Sequence, residues 1–178
     1  MVKFKLMYDK DEEVLSLNEE ANKGNAFRKF FLGFYFFEKS EEGKYIYDID
    51  LLSSCKDFAN FRKFMDDSNV EVLNRWYRWV YVRKVNDSKG FELYSDVDSK
   101  IEHYHKIMKL FKAAFIIEVV CLFVEIFIPL INKRMEIMNF IFISIIAFFA
   151  ICLYGAYTKM SAKAGFYKQQ KDNIGLAD

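Results

Sequence analysis

Two glutamates, Glu118 and Glu125, sit inside one of the most apolar stretches of the chain, Ala113 to Ile131, AAFIIEVVCLFVEIFIPLI. Seven residues apart on a helix they share one face, which continues through Phe111, Ala114, Cys121 and Asn132. A charge at that depth of a bilayer costs a few kcal/mol even on the lenient insertion scale, so both must face protein or water. Two chemistries fit. Protonated carboxyls can hydrogen-bond within a helical hairpin or across a dimer. Alternatively, the pair forms a proton, cation or cationic-ligand site between spans, and antiparallel helices would then set Glu125 at the depth of Ser144 and Glu118 near Cys152.

Other candidate constellations are weaker. Asp48 and Asp50 point the same way from a strand and could act as paired carboxylates, but no third ligand accompanies them, so a solvated sheet face is expected. His103 and His105, two apart on a helix, lie about 200° from each other and cannot grip one metal; solvated or headgroup-facing rings are expected. The aromatic run Phe30 to Phe37 carries Gly33, yet Leu32 stands where an RNA-stacking strand has a basic residue. Core packing and an apolar docking surface explain it better, with Phe34, Tyr35, Trp76 and Trp79 as candidate docking aromatics. No GxSxG, HExxH, P-loop or dinucleotide fingerprint occurs, so neither catalysis nor a cofactor is expected.

The elements that must hold these residues fall into two halves. The 178 residues carry 26 basic and 25 acidic side chains, and the mean hydropathy of −0.03 hides an uneven distribution. Residues 1–100 hold 17 basic and 19 acidic side chains, net −2, and the remainder 9 and 6, net +3. That balance argues against a nucleic-acid partner. Three widely spaced cysteines, Cys55, Cys121 and Cys152, suggest neither a disulfide framework nor a zinc site.

After Ala113–Ile131 comes a second run, Ile137 to Tyr157, with no charge at all. Each covers roughly 30 Å as a helix, the thickness of a bilayer core. Five residues, Asn132 to Glu136, separate them, which predicts a transmembrane hairpin with Pro129 near the end of its first helix. Lys106, Lys109, Lys112, Lys159, Lys163, Lys168 and Lys171 flank the outer ends against Lys133 and Arg134 in the loop, so both termini are expected in the cytoplasm. MVKFKLMYDKDEE has no apolar core, so no cleavable signal peptide is expected.

In the first half, strand and helix signals alternate. Phe4 to Tyr8 reads as a strand, and Asp9 or Asp11 can cap a helix with Val14, Leu17 and Ala21 on one face, stopped at Gly24. Residues 27–38 read as one aromatic strand. It is joined by Ser40-Glu41-Glu42-Gly43 to an alternating strand, Lys44 to Leu51, to make a hairpin. A helix over Lys56 to Asp67 presents Phe58, Phe61 and Met65, and a hairpin follows from Val70 to Lys84. This β-α-β-β-α-β-β order predicts an α+β class, a ferredoxin-like split βαβ with both helices on one sheet face. The expected layout is a cytosolic domain at 1–96, an amphipathic joining helix at 97–112, the transmembrane hairpin at 113–157 and a basic tail at 158–178.

The blocks DEEVLSLNEEANKG, FYFFEKSEEGKYIYDIDLL, WYRWVYVRK and FELYSDVDSKIEHYHKI together resemble the bacterial domain-of-unknown-function family numbered 2812, over roughly residues 1–107. The resemblance implies C-terminal membrane spans and genes often placed beside PadR-type transcription regulators; it implies no established activity. The chain departs where a tryptophan tends to precede Leu17-Asn18 and where another tends to follow Gly24, here Asn25.

The sequence thus points to a non-catalytic membrane regulatory or sensor protein, coupling membrane state or an amphipathic ligand to a cytosolic partner. An accessory or oligomeric subunit of a transport assembly using Glu118 and Glu125 is the alternative. The lipid bilayer, a regulator or membrane protein and a second copy are the expected partners.

Overall fold

Three acidic residues at the start of a helix complement its dipole, and Asp9 ahead of them caps it, accepting the Asp11 N–H at 3.0 Å. In the computed structural model, which describes residues 1–7, 9–87, 90–94, 96–134 and 136–175, this helix, α1, spans Lys10–Asn22. Gly24, at φ +73°, ends it where a side chain would press on the Ser40 carbonyl. The chain divides into two units, Met1–Ser95 and Asp96–Asp178.

The first unit is α+β, with six strands among the described residues. Strands β1 (Val2–Phe4), β2 (Asn25–Phe31) and β3 (Phe34–Lys39) form one antiparallel sheet in the order β1-β3-β2. Strands β4 (Tyr45–Leu51), β5 (Glu71–Trp76) and β6 (Trp79–Val85) form a second, in the order β4-β6-β5. Helix α2 (Phe58–Asp67) follows β4 after a single turn at Cys55–Asp57 that Ser54 and Asp57 close as a capping box. The first strand begins earlier than expected, and Tyr8 lies outside the described residues.

Residues 27–38 are not one strand. Leu32 (φ 46°) and Gly33 (φ 85°) make a two-residue turn in which both have positive φ, and the chain folds back on itself to pair Phe31 with Phe34. The expected hairpin across Ser40–Gly43 is absent in consequence, because β3 and β4 belong to different sheets.

The helices also sit differently from a ferredoxin-like arrangement. Leu17 and Ala21 of α1 pack with Phe27, Tyr35, Phe37, Tyr47, Ile49 and Tyr81. Met65 of α2 packs with Leu52, Val70, Val80 and Val82, joined by Phe58, Phe61, Phe91 and Leu93. Neighbouring strand residues point to opposite faces, so Tyr81 against Val80 and Val82 puts α1 and α2 on opposite sides of the second sheet. The described strand pairs are all antiparallel, whereas a split βαβ needs a parallel one.

Among its described residues the second unit has two helices. Helix α3 runs unbroken over Val97–Ile131, capped by Asp96, whose side chain accepts the Ser99 N–H, and α4 covers Ile137–Gly175. Both are long and apolar enough to cross a membrane. Large side chains such as Ile117, Val120, Phe123, Phe142, Phe148 and Ile151 stay exposed, which suits lipid and not a soluble core. This is a membrane protein with two candidate spans. The stretch after Tyr157 continues α4: Met160 and Ala164 are buried, Tyr167 stacks on Tyr104 at 5.5 Å, and Lys171 pairs with Asp98 at 2.6 Å. Residues 176–178 of the expected tail lie outside the described residues.

Candidate functional site

Pro129 has no N–H to give the carbonyl of Glu125, so α3 loses a backbone bond one turn before its end. At that turn the Asn139 Nδ2 donates to Glu125 Oε1 at 3.0 Å, while Asn139 Oδ1 accepts the Glu136 N–H at 2.9 Å. One amide therefore closes the start of α4 and ties it to the carboxylate of α3.

Glu118, one heptad earlier, is half-buried along the same α4-facing row as Ala114, Phe115, Glu125 and Pro129. Among the described residues it makes no hydrogen bond. The Phe115 and Tyr154 rings meet at 5.6 Å within a turn of it. Small residues of α4, Ala147, Ala150 and Ala156, form the opposing surface and let the helices approach.

Ser144 is not the partner of Glu125. It is exposed, and its hydroxyl donates to the Phe140 carbonyl at 2.8 Å. Depth along the helix does not decide contact; the residues of α4 that turn towards α3 are Asn139, Ile143, Ile146 and Ala147, and Ser144 falls off that row. Cys121 and Cys152 are likewise exposed, off the row that holds Glu118 and Glu125.

In the first unit, two phenol hydroxyls converge on one carboxyl oxygen. The Tyr35 and Tyr81 hydroxyls each donate to Glu13 Oε1 at 2.7 Å, so a carboxylate on α1 clamps β3 of one sheet and β6 of the other. Burial pushes the Glu13 carboxyl above the usual glutamate range, and the two phenols partly offset that. Burial and the Glu13 charge hold both phenols above theirs. Beside the clamp lies a small cleft of about 10 Å³, with Lys3, Lys5, Ser16 and Glu20 around it. Lys3 sits 2.6 Å from Glu20 and lowers its carboxyl below the ordinary range, with Lys23 adding to the effect.

Asp48 and Asp50 are 4% exposed, not solvated. Lys10 reaches Asp48 Oδ1 at 2.9 Å, the Leu93 N–H donates to Asp48 Oδ2 at 2.9 Å, and the Tyr94 hydroxyl donates to Asp50 Oδ1 at 2.8 Å. The irregular chain at 91–94 covers that face of β4, which makes these carboxylates structural anchors. His103 is buried and only His105 is exposed.

The four candidate docking aromatics separate. Tyr35 is 3% exposed and is committed to Glu13, so it belongs to the core. Trp79 is half-buried against the same cluster. Phe34 and Trp76 are exposed, Phe34 packing on Phe4 at 5.0 Å and Trp76 edge-on to Phe30 at 5.6 Å. Asn139 and Glu13 were not singled out by their spacing. For Asn139 the signal was present, a carboxamide near the start of the charge-free run.

A family model described as "Protein of unknown function (DUF2812)" matches residues 8–116, which takes in most of the first unit and the start of α3. No curated protein and no solved structure matches the chain.

Proposed function

Since the chain belongs to the DUF2812 family, whose description states no activity, we propose from its geometry that it is a small, non-catalytic membrane sensor or regulatory protein. In this reading α3 and α4 cross the cytoplasmic membrane, and residues 1–95 form a cytosolic unit that reports bilayer state, or an amphipathic cation held between the helices, to a protein partner. The observation that carries it is Glu118: a half-buried carboxyl in the apolar part of an unbroken helix, next to a Glu125 already satisfied by Asn139. An intramembrane carboxyl facing a neighbouring helix is a functional-site hypothesis by default.

In this reading both termini lie on the cytoplasmic side. The Asp98–Lys171 and Tyr104–Tyr167 contacts bring the outer ends of α3 and α4 to the same end of the hairpin. Eight lysines, Lys100 among them, lie there against Lys133 and Arg134 in the loop.

A ligand shifts a conformation only by binding two states differently, and α3 is the continuous element that can pass on such a bias. The test uses the full chain in lipid nanodiscs with tetraphenylphosphonium as a lipophilic cation. Amide exchange in residues 1–95 should change on adding it, and the change should vanish in Glu118→Gln and after insertion of two glycines following Lys100. A change that survives the insertion contradicts the coupling.

The same Glu118 favours a second reading, an accessory or oligomeric subunit of a transport assembly in which another chain supplies the missing bond. Native mass measurement in mild detergent separates the two. A monomer with no co-purifying membrane protein counts against the second.

A further inference from the structure

Where α3 enters its apolar run and α4 leaves its own, residues 103–117 and 154–171 carry seven lysines and no acidic residue. Like charges three or four apart share a helix face and repel, and the pairs Lys106–Lys109, Lys109–Lys112, Lys159–Lys163 and Lys168–Lys171 all have that spacing. Setting the topology of a hairpin takes only an excess of cations at one end. It does not call for like-charged neighbours, nor for the exclusion of every carboxylate when Thr158, Ala162 and Gln169 are exposed positions able to carry one.

Away from the apolar runs the chain itself supplies counter-charges: Glu102 meets Lys106 at 3.0 Å and Asp98 meets Lys171 at 2.6 Å. Nearer to them the setting changes. Lys163 Nζ lies 5.9 Å from the centre of the Tyr104 ring, and Lys109 and Lys112 are exposed on α3. The Phe115–Tyr154 contact at 5.6 Å and the Tyr104–Tyr167 stack at 5.5 Å fix the antiparallel register of the two helices. That register brings Lys109 to the level of Lys159, with Lys112 about one turn closer to the apolar run. With the runs in the hydrocarbon core, Lys112 and Lys159 stand at its edge, and the lysine stems carry their ammonium groups out to the depth of lipid phosphates.

We propose that this lysine belt binds the headgroups of anionic phospholipids, with Lys109, Lys112 and Lys159 at its centre. The lipid phosphates supply the counter-charges that residues 103–117 and 154–171 lack, and so relieve the repulsion within each helix. Tyr154, exposed and just inside the boundary, suits the glycerol level of the same lipids, where an amphipathic ring is favoured. Because one headgroup layer meets lysines of both helices, bound lipid also holds the outer ends of α3 and α4 together. The belt lies wholly within the second unit and works in either orientation of the hairpin. It requires α3 and α4 to span a bilayer and is independent of the sensor reading.

The test takes the full-length protein, delipidated in a neutral detergent, and offers it phosphatidylglycerol and phosphatidylcholine with the same acyl chains in equal amounts. Lipid that stays with the protein through gel filtration is then counted by mass spectrometry. Phosphatidylglycerol should be retained on the order of tenfold more strongly, and the preference should shrink as salt rises. Lys109→Gln, Lys112→Gln and Lys159→Gln should each weaken it by roughly fivefold, whereas arginine at the same three positions should keep it. Lys133→Gln with Arg134→Gln, at the other end of the spans, should leave it unchanged. Equal retention of the two lipids by the wild-type chain overturns the proposal whatever the variants do to folding, and so does an equal loss from the loop pair. Abolition of the preference by millimolar inorganic phosphate at constant ionic strength marks a site for free anions and overturns it as well.

Discussion

Asn139 holds Glu125 across the hairpin at 3.0 Å, beside the one proline of the chain, and spends the other side of its amide on the first turn of α4. The two spans are therefore registered by a polar contact where van der Waals packing alone would permit sliding. Asn139→Leu should destabilise the hairpin by about 1–2 kcal/mol through the lost bond and cap. Glu125→Leu combined with it should cost less than the sum of the two single changes, since no carboxyl is then stranded. Unfolding in mixed micelles, followed by circular dichroism, gives the cycle.

Asp48 holds Lys10, the Ile49 N–H and the Leu93 N–H. Removing one member of a buried pair strands the other, so Asp48→Ala should cost about 3 kcal/mol. The melt is read from Trp76 and Trp79 in detergent. Amide exchange at Leu93 should rise with it, because the chain at 91–94 loses an anchor.

The pH dependence of the first unit follows from two carboxyls shifted in opposite directions. Glu13 is raised by burial, so it favours the folded state progressively as pH falls through its folded pKa, where the carboxyl gains its proton. Glu20 is lowered chiefly by Lys3, so its contribution is present above the ordinary glutamate range and is lost as pH falls through its depressed folded value. Melting temperature should rise on mild acidification and drop at lower pH. Glu13→Gln should remove the rise and leave the drop.

Native Cys55 reports orientation. It is exposed on the first unit, while Cys121 and Cys152 lie in the spans. With those two changed to serine, a membrane-impermeant maleimide should label Cys55 only after cells are opened. Labelling of intact cells would put the first unit outside.

Much of this architecture is legible in the residues themselves. Asp9 and Gly24 bound α1 by capping chemistry that spacing displays, and the charge-free run to Tyr157 is by its length and composition a candidate span. The Leu32-Gly33 turn was hidden because leucine is a poor turn residue, so an aromatic run read as one strand. The Asp48 and Asp50 environment was hidden because an irregular segment, with no periodicity of its own, covers it. At the intramembrane site, Glu118 and Glu125 stood out by type; the choice of Asn139 over Ser144 depends on rotation about α4, which depth alone does not supply.

The central claim is that α3 carries the state of the bilayer to residues 1–95. Amide exchange of the wild-type chain in nanodiscs of short-chain and of long-chain monounsaturated phosphatidylcholine measures this directly. The account predicts different protection in β4 and at Leu93 between the two bilayers, because hydrophobic mismatch tilts the helices. Superimposable exchange throughout residues 1–95, with altered exchange confined to α3 and α4, would contradict it.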